Sequence, residues 1–503
     1  MAKNLAIVAG VSTAFVDPKL TVIEGTETSA GVMPASSLQV KSGLLVEVRR
    51  DPDGSTGSGE VTGDPKVYSY QNEPKNGTAN IVFERYYYTR TGGTPSGPFS
   101  SVIQVFDSSL LTDTATLDPV INGDSPGQPN QYLTKWGGGS PTPANTEVVN
   151  AYGVVRLGEF IYVMSYDFWR VTKINAGTKA VVGAITFNNA DYNHATPPPA
   201  TVMARGQGIK VHDGKLYALF NVAGNINGTE VNEANYQPSI LVEIDTANFT
   251  FKDKNHASPS YAEVGMNSVK IESTPGFLYC PAIGGPQLAG ESNIDRSGLY
   301  RVPVVPNGAL GTALKVYKGN TDPTFYDIRD VAVGDDYALI LTGRFEANYG
   351  SFSYILFRIS RSELNGFDST QDIYDLFLVD EAIVELEEVM GYGPYHSVKF
   401  ESAYKHFWCG QSIRIRAYDE SVIANISTAP TPGAEILSSD FYGGEGYINS
   451  MEVFIDNTEA HASPTVLRAA AAGGAEGQAA ATASRMTPGK ITLRAFMAKR
   501  KKK

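Results

Sequence analysis

The sequence predicts an all-β chain folded as a β-propeller of seven four-stranded blades, with six as the alternative. The ring is expected to close through N- and C-terminal strands that share one composite blade. Three observations predict this. A short pattern recurs at intervals of 53–67 residues, and each copy is followed by further strand-like runs. Unassigned strands also remain at the N-terminus for the last copy to join.

The recurring pattern is a polar or aromatic residue, then a small or acidic one, then hydrophobic alternation. Its copies are Tyr152-Gly-Val-Val-Arg-Leu157, Gln207-Gly-Ile-Lys-Val211, Asn267-Ser-Val-Lys-Ile271, Arg329-Asp-Val-Ala-Val333, His396-Ser-Val-Lys-Phe400 and Asn449-Ser-Met-Glu-Val453. Asn80-Ile-Val-Phe83 reads as a weaker seventh copy. A turn and a second strand follow at Gly158–Val163, Asp213–Leu219, Pro275–Tyr279, Asp336–Leu341 and Lys405–Trp408. Asp213-Gly214 before Lys215 is a hairpin-turn signal. Third strands end in a polar residue, as in Leu241-Val-Glu-Ile-Asp245 and Leu356-Phe-Arg-Ile-Ser360. Leu5–Ala9, Leu20–Ile23, Leu44–Val48 and Lys66–Tyr70 are left to complete the ring with the strand after Asn449 and to hide its sheet edges. Asp372–Met390 is the one helix candidate of useful length, read as a short helix or a strand-plus-helix insertion.

Composition agrees. Hydrophobic residues make up 42% of the 503, enough for a sizeable core, and the 50 Gly and 27 Tyr suit short strands joined by turns. Residues 1–456 form the propeller. Residues 457–503, Ala/Gly-rich and then basic, form a tail without core periodicity, expected to be disordered or partner-dependent. The net charge is −12, and the last fourteen residues hold seven basic groups and no acid, which leaves −19 for the rest. So acidic a body repels phosphate backbones, and no nucleic-acid partner is expected. Cys280 and Cys409 lack the spacing of a zinc site or a disulfide framework and read as buried thiols. No segment is long and apolar enough to be a transmembrane helix. The apolar run Leu5 to Val16 has no convincing signal-peptide cleavage site, and Leu5–Ala9 reads as a strand entering the fold.

No P-loop, zinc helix, G-x-S-x-G or dinucleotide fingerprint occurs, and no pair among the six His has metal-ligand spacing. The positional argument is stronger. Residues opening the inner strands of a propeller converge at one mouth of its channel. Tyr152, Gln207, Asn267, Arg329, Asp330, His396 and Asn449 are therefore the candidate ligand-binding set, with no catalytic or metal-ligating residue among them. Mutual satisfaction with channel water is the competing reading of the same residues. Long loops at Thr89–Ser100, Asn221–Pro238 and Pro281–Gly298, with a shorter one at Gly343–Ser351, open on the same face. Asp51–Glu60 spaces its carboxylates partly like a calcium loop but lacks the full ligand set, so no cofactor is expected. Tyr86-Tyr-Tyr88 offers stacking surface for a sugar, or divides between core and sheet face.

Over residues 1–456 the repeat resembles the β-propeller superfamily, although it lacks Trp-Asp blade endings, the kelch double glycine and the sialidase box. Tyr326-Asp-Ile-Arg-Asp-Val-Ala-Val333, followed by Ile340-Leu-Thr-Gly343, resembles blades of secreted or surface propeller proteins of synergistete-type anaerobic bacteria. That resemblance implies an exported bacterial protein with a sorting tail. Here the basic stub is present and the apolar segment before it is missing. The expected function is a non-catalytic extracellular or cell-surface propeller that binds a protein or glycan partner, or assembles with itself. The alternatives are a phage or virion structural protein, and a propeller enzyme of lactonase, lyase or glycosidase type working at the channel mouth.

Overall fold

A computed structural model describes residues 4–13, 16–26, 39–40, 46–47, 66–71, 79–91, 94–107, 131–136, 151–166, 169–178, 180–187, 203–223, 238–252, 258–284, 297–306, 308–318, 327–345, 351–366, 384–385, 389–390, 397–402, 405–411, 414–423, 434–437 and 447–456. Before residue 151, and in parts of later strands, the backbone alone is described.

β1 (Asn4–Thr13) and β2 (Val16–Thr26) form a hairpin, with the short β3 (Gln39–Val40) and β4 (Val46–Glu47) on the far edge of β2. β5 (Lys66–Gln71), β6 (Ala79–Thr91), β7 (Thr94–Asp107) and β8 (Gln131–Trp136) make the next sheet. It is followed by β9 (Ala151–Leu157), β10 (Phe160–Ser165), β11 (Arg170–Asn175) and β12 (Val181–Thr186). Then come β13 (Met203–His212), β14 (Lys215–Ala223), β15 (Pro238–Asp245) and β16 (Thr250–Phe251), with β17 (Tyr261–Met266) also on β15. β18 (Glu272–Thr274), β19 (Phe277–Ala282), β20 (Gly298–Pro303) and β21 (Leu314–Lys318) follow. The next sheet holds β22 (Asp327–Val333), β23 (Tyr337–Phe345) and β24 (Ser351–Ser360), then α1 (Arg361–Gly366), β25 (Val384–Glu385) and β26 (Val389–Met390). β27 (Ser397–Glu401), β28 (His406–Gln411), β29 (Arg414–Asp419), α2 (Glu420–Ile423) and β30 (Ala434–Leu437) form the last complete repeat. β31 (Tyr447–Asp456) pairs antiparallel along β1, Asn4 opposite Asp456 and Ala9 opposite Met451.

Four-stranded antiparallel sheets in sequence order are thus the repeating unit, the blade of a β-propeller. Core packing supports the same unit. In the middle strands both faces are apolar, and alternate residues enter different cores. Leu216, Ala218 and Phe220 of β14 pack with Tyr162 and Met164 of the preceding sheet. Tyr217 and Leu219 pack with Leu278 and Cys280 of the following one. In β23, Ala338 and Ile340 meet Tyr279 and Leu299, while Leu339 and Leu341 meet Phe407 and Cys409. A sheet buried on both faces needs a continuous apolar run, which is why the second strands read most clearly in the sequence.

A second repeat-wide device lies on the middle strands. Lys173 Nζ sits 4.0 Å from the centre of the Phe160 ring, Arg301 Cζ 4.9 Å from Phe277 and Arg358 Cζ 4.7 Å from Tyr337. Each cation on a third strand thus covers the aromatic residue opening the second strand. In the β13–β17 sheet the same two positions hold Lys215 and Glu243, an ion pair at 3.5 Å. Arg301 also donates to the carbonyls of Leu364 (3.0 Å) and Asn365, capping the C-terminus of α1. Ser360 caps the N-terminus of α1: its Oγ accepts from Glu363 N–H and donates to the Glu363 carboxylate.

Several expectations are corrected. Asn80–Phe83 lies in a second strand, and the first strand of that sheet is Lys66–Gln71. Thr89–Ser100 is no long loop, because Thr89 pairs with Ser96 and Thr91 with Thr94, leaving only residues 92 and 93 between the strands. Within Asp372–Met390 the described parts are two short strands on β24. The third pattern copy makes only an isolated bridge, Ser268 to Ala282, before the strand begins at Glu272. Asp213 (φ 48°) and Gly214 (φ 73°) form the anticipated left-handed two-residue turn. Asp51–Glu60 and residues 457–503 lie outside the described residues.

Candidate functional site: a bulged collar above a ladder of ion pairs

The pattern-opening residues fall where the inner strands break step. In β13, Gly206 pairs with Phe220 and Gly208 with Leu219, so Gln207 is an extra residue. In β22, Ile328 pairs with Thr342 and Asp330 with Leu341, so Arg329 is extra. In β31, Ser450 pairs with Gly10 and Ile448 with Val11, so Asn449 is extra. In β9, Ala151 pairs with Ser165 and Val154 with Val163, so Tyr152 and Gly153 face Met164 alone. Asn267 takes a left-handed backbone, φ 54°, which Asn tolerates better than most residues, and its carbonyl accepts from Ile283 N–H at 3.1 Å. A bulge bends its strand and re-aims one side chain. The side chain of Asn449 and the whole of His396 lie outside the description.

Glycine makes one of these breaks possible. A Cβ on Gly206 would lie 2.3 Å from Met164 Sδ and 2.4 Å from the Ser165 carbonyl oxygen. That carbonyl is backbone and cannot step aside. Gly206→Ala is expected to cost roughly 2 kcal/mol through overpacking, read as a lower denaturation midpoint. An unchanged midpoint would contradict so tight an approach.

Around these breaks the side chains form two layers. In the first, Tyr152 stacks on Tyr166 at 4.6 Å between ring centres, with 27° between the planes. Arg205 Cζ lies 4.5 Å over Tyr166. Arg205 stands directly across the β13–β14 ladder from Asn221, whose Nδ2 donates to Asn267 Oδ1 at 2.6 Å. Gln207 is 6% exposed. The repeat pattern named Tyr152, Gln207 and Asn267. It missed Tyr166, Arg205 and Asn221, which lie outside the pattern and become neighbours only through strand pairing.

The second layer is a run of ion pairs from one inner strand to the next. Lys210 on β13 pairs with Glu272 on β18 at 3.1 Å. Lys270 pairs with Asp330 on β22 at 2.5 Å. Asp330 Oδ2 accepts from Val398 N–H on β27 at 2.9 Å, and its Oδ1 from its neighbour Val331 N–H at 2.7 Å. Lys399 pairs with Glu452 on β31 at 2.6 Å. Three ammonium groups meet three carboxylates. Burial alone would raise the Glu272 pKa, but Lys210 and Lys270, helped by Ser273 N–H, outweigh it and hold the carboxyl at about 2. Burial opposes the charge on Lys399, but Glu452, with Asp330 and Glu272 further off, raises its pKa. Asp330, a member of the ligand set expected from the sequence, is 5% exposed and committed to these three donors.

Other groups carry little reactivity. Cys280 and Cys409 are free and buried, and burial pushes both thiols up, away from the reactive thiolate. His212 is buried and its pKa lowered by desolvation, with Asp213 opposing that and Lys210 reinforcing it. Among the described residues no helix is long and apolar enough to cross a membrane, and no group of three or more His, Cys, Asp or Glu could hold a metal ion.

No family model matches the chain, and no curated protein matches it. The likeness to synergistete-type surface propellers seen at Tyr326–Val333 and Ile340–Gly343 thus finds no support among known proteins. Solved structures that align with the chain include hydrazine synthase of Kuenenia stuttgartiensis, at 12% identity and TM-score 0.39 over 78% of this chain and 89% of that one. Apo AztD of Citrobacter koseri aligns at 9% identity and TM-score 0.36, over 90% and 98% of the two chains. The β-propeller domain of Myceliophteria thermophila Cps50 (Swd1) aligns at 10% and 0.29, over 70% and 96%.

Proposed function

We propose that the chain is a seven-bladed propeller closed by the pairing of β31 with β1, and that it works by recognition rather than catalysis. In this reading it is an extracellular or cell-surface binding or assembly protein whose contact face is the bulged collar. The ring is supported by the inner strands, since β5 lies against both β9 and β31, and β27 against both β22 and β31. The recognition reading is carried by the charge ladder. The three acids of the ladder, Glu272, Asp330 and Glu452, are each held by an ammonium and the three lysines each by an acid, so the ladder holds no poised acid–base pair. The collar above presents aromatic, amide and guanidinium groups, which suit contact with a protein or glycan.

The test exposes full-length protein to glycan and peptide arrays, follows self-association by sedimentation velocity, and includes lactone, glycoside and uronide substrates. Binding or association that weakens in Tyr152→Ala, with an unchanged thermal midpoint, is the expected result. Turnover of any of these substrates, or binding indifferent to the collar substitution, overturns the reading.

A further inference from the structure

We propose that the collar holds a subsite for an acidic sugar, formed by Tyr152, Tyr166, Arg205, Gln207 and Asn221. This deepens the recognition reading and rests on it. Arg205 carries the argument. Its guanidinium lies over the Tyr166 ring at 4.5 Å, and among the described residues its in-plane N–H donors have no acceptor. The lysines of the ladder below contrast with it, because Lys210, Lys270 and Lys399 each have a carboxylate. The cation–π contact holds the guanidinium at the ring, and its fork of donors, without a described acceptor, suits a carboxylate.

Gln207 is the second, independent observation. It is the extra residue of the β13 bulge and only 6% exposed, yet among the described residues its amide has no hydrogen-bond partner. The Gln207 amide is not sealed from solvent and stands two residues along β13 from Arg205, so it is a second group open to a ligand's hydroxyls. Asn221, across the ladder from Arg205, spends its Nδ2 on Asn267 while its Oδ1 stays buried without a partner.

The stacked Tyr152–Tyr166 pair supplies a plate for the apolar face of a sugar ring. A single carboxylate fits better than a polyanion, because the chain outside its last fourteen residues carries a net −19 and repels extended negative charge.

The experiment titrates full-length protein with methyl β-D-glucuronide and with methyl β-D-glucoside, which differ at one carboxylate, observed by ligand NMR. The glucuronide is expected to bind roughly tenfold more tightly, the ratio one charge-assisted hydrogen bond supplies. Arg205→Met should abolish the difference, and Gln207→Leu should weaken both ligands, each with a wild-type thermal midpoint. If either variant melts early, Tyr166→Leu gives the same readout from the other side of the stack. Equal affinity for the two glycosides, or no binding of either by the folded wild type, overturns the proposal. Binding of a glutamate peptide through Arg205 instead overturns the sugar assignment and leaves recognition standing. Release of methanol from either glycoside overturns the recognition reading itself.

Discussion

Replacing Asp330 with alanine is expected to lower the stability of the folded chain by roughly 3–5 kcal/mol, the cost of breaking a buried ion pair on one side. Asp330 is 5% exposed and takes donors from three segments, the Lys270 ammonium, Val331 N–H and Val398 N–H. Its removal leaves two buried amide donors unmatched and Lys270 with Glu272, at 3.9 Å, as its one described carboxylate, beside the carbonyls of Val331 and Val398. Asp330→Asn should cost less, because the amide oxygen can still accept one N–H, although it cannot neutralise Lys270. Urea denaturation of both variants checks the order. Combining each with Lys270→Met should show strong coupling, since the residues share one network. A loss below about 1 kcal/mol for the alanine variant, typical of a surface pair, would contradict the stitching role.

Acid is expected to unfold the chain in two stages, in windows set by Glu272 and His212. The folded Glu272 carboxyl sits at about 2 against an ordinary 4.5. A depressed carboxyl contributes stability above the ordinary value and loses it as pH falls towards the folded one, here between 4.5 and about 2. The shift corresponds to at most about 3 kcal/mol. His212 acts earlier. Burial lowers its pKa from 6.5, so below that value the unfolded chain takes the proton more readily and stability falls. Thermal midpoints measured from neutral pH downward should begin to drop below 6.5 and fall more steeply below 4.5. Glu272→Gln should be less stable at neutral pH and fall less steeply through the lower window. An unchanged slope below 4.5 in that variant would contradict the assignment.

The inner and middle strands were legible because middle strands such as β14 and β23 are apolar on both faces and a pattern copy sits next to each of them. Leu216–Phe220 and Ala338–Leu341 needed no partner to be recognised. The collar was legible in half. Gln207, Arg329 and Asn449 stood out as the polar residues that open the recurring pattern, and the bulges fall at those same positions. Tyr166 and Arg205 gave no signal, because their stacking depends on the packing of two sheets. The ladder was hidden for a related reason. Lys210, Lys270, Lys399 and Glu452 all lie within the recognised copies, but their partners stand 53–62 residues away, and only the register of adjoining inner strands selects them. The first strand of the β5–β8 sheet was misread because Asn80–Phe83 mimics the pattern, while Lys66–Gln71 lacks the small residue at its second position.

The most direct test of the central claim is a crystal structure of the full-length chain. The account predicts β31 paired along β1, with Gln207, Arg329 and Asn449 as extra residues of three inner strands gathered at one mouth together with His396. Below them Lys270 should bridge to Asp330. A structure in which these residues scatter to different faces, or in which Asp330 faces solvent without Lys270 and Val398, would contradict it.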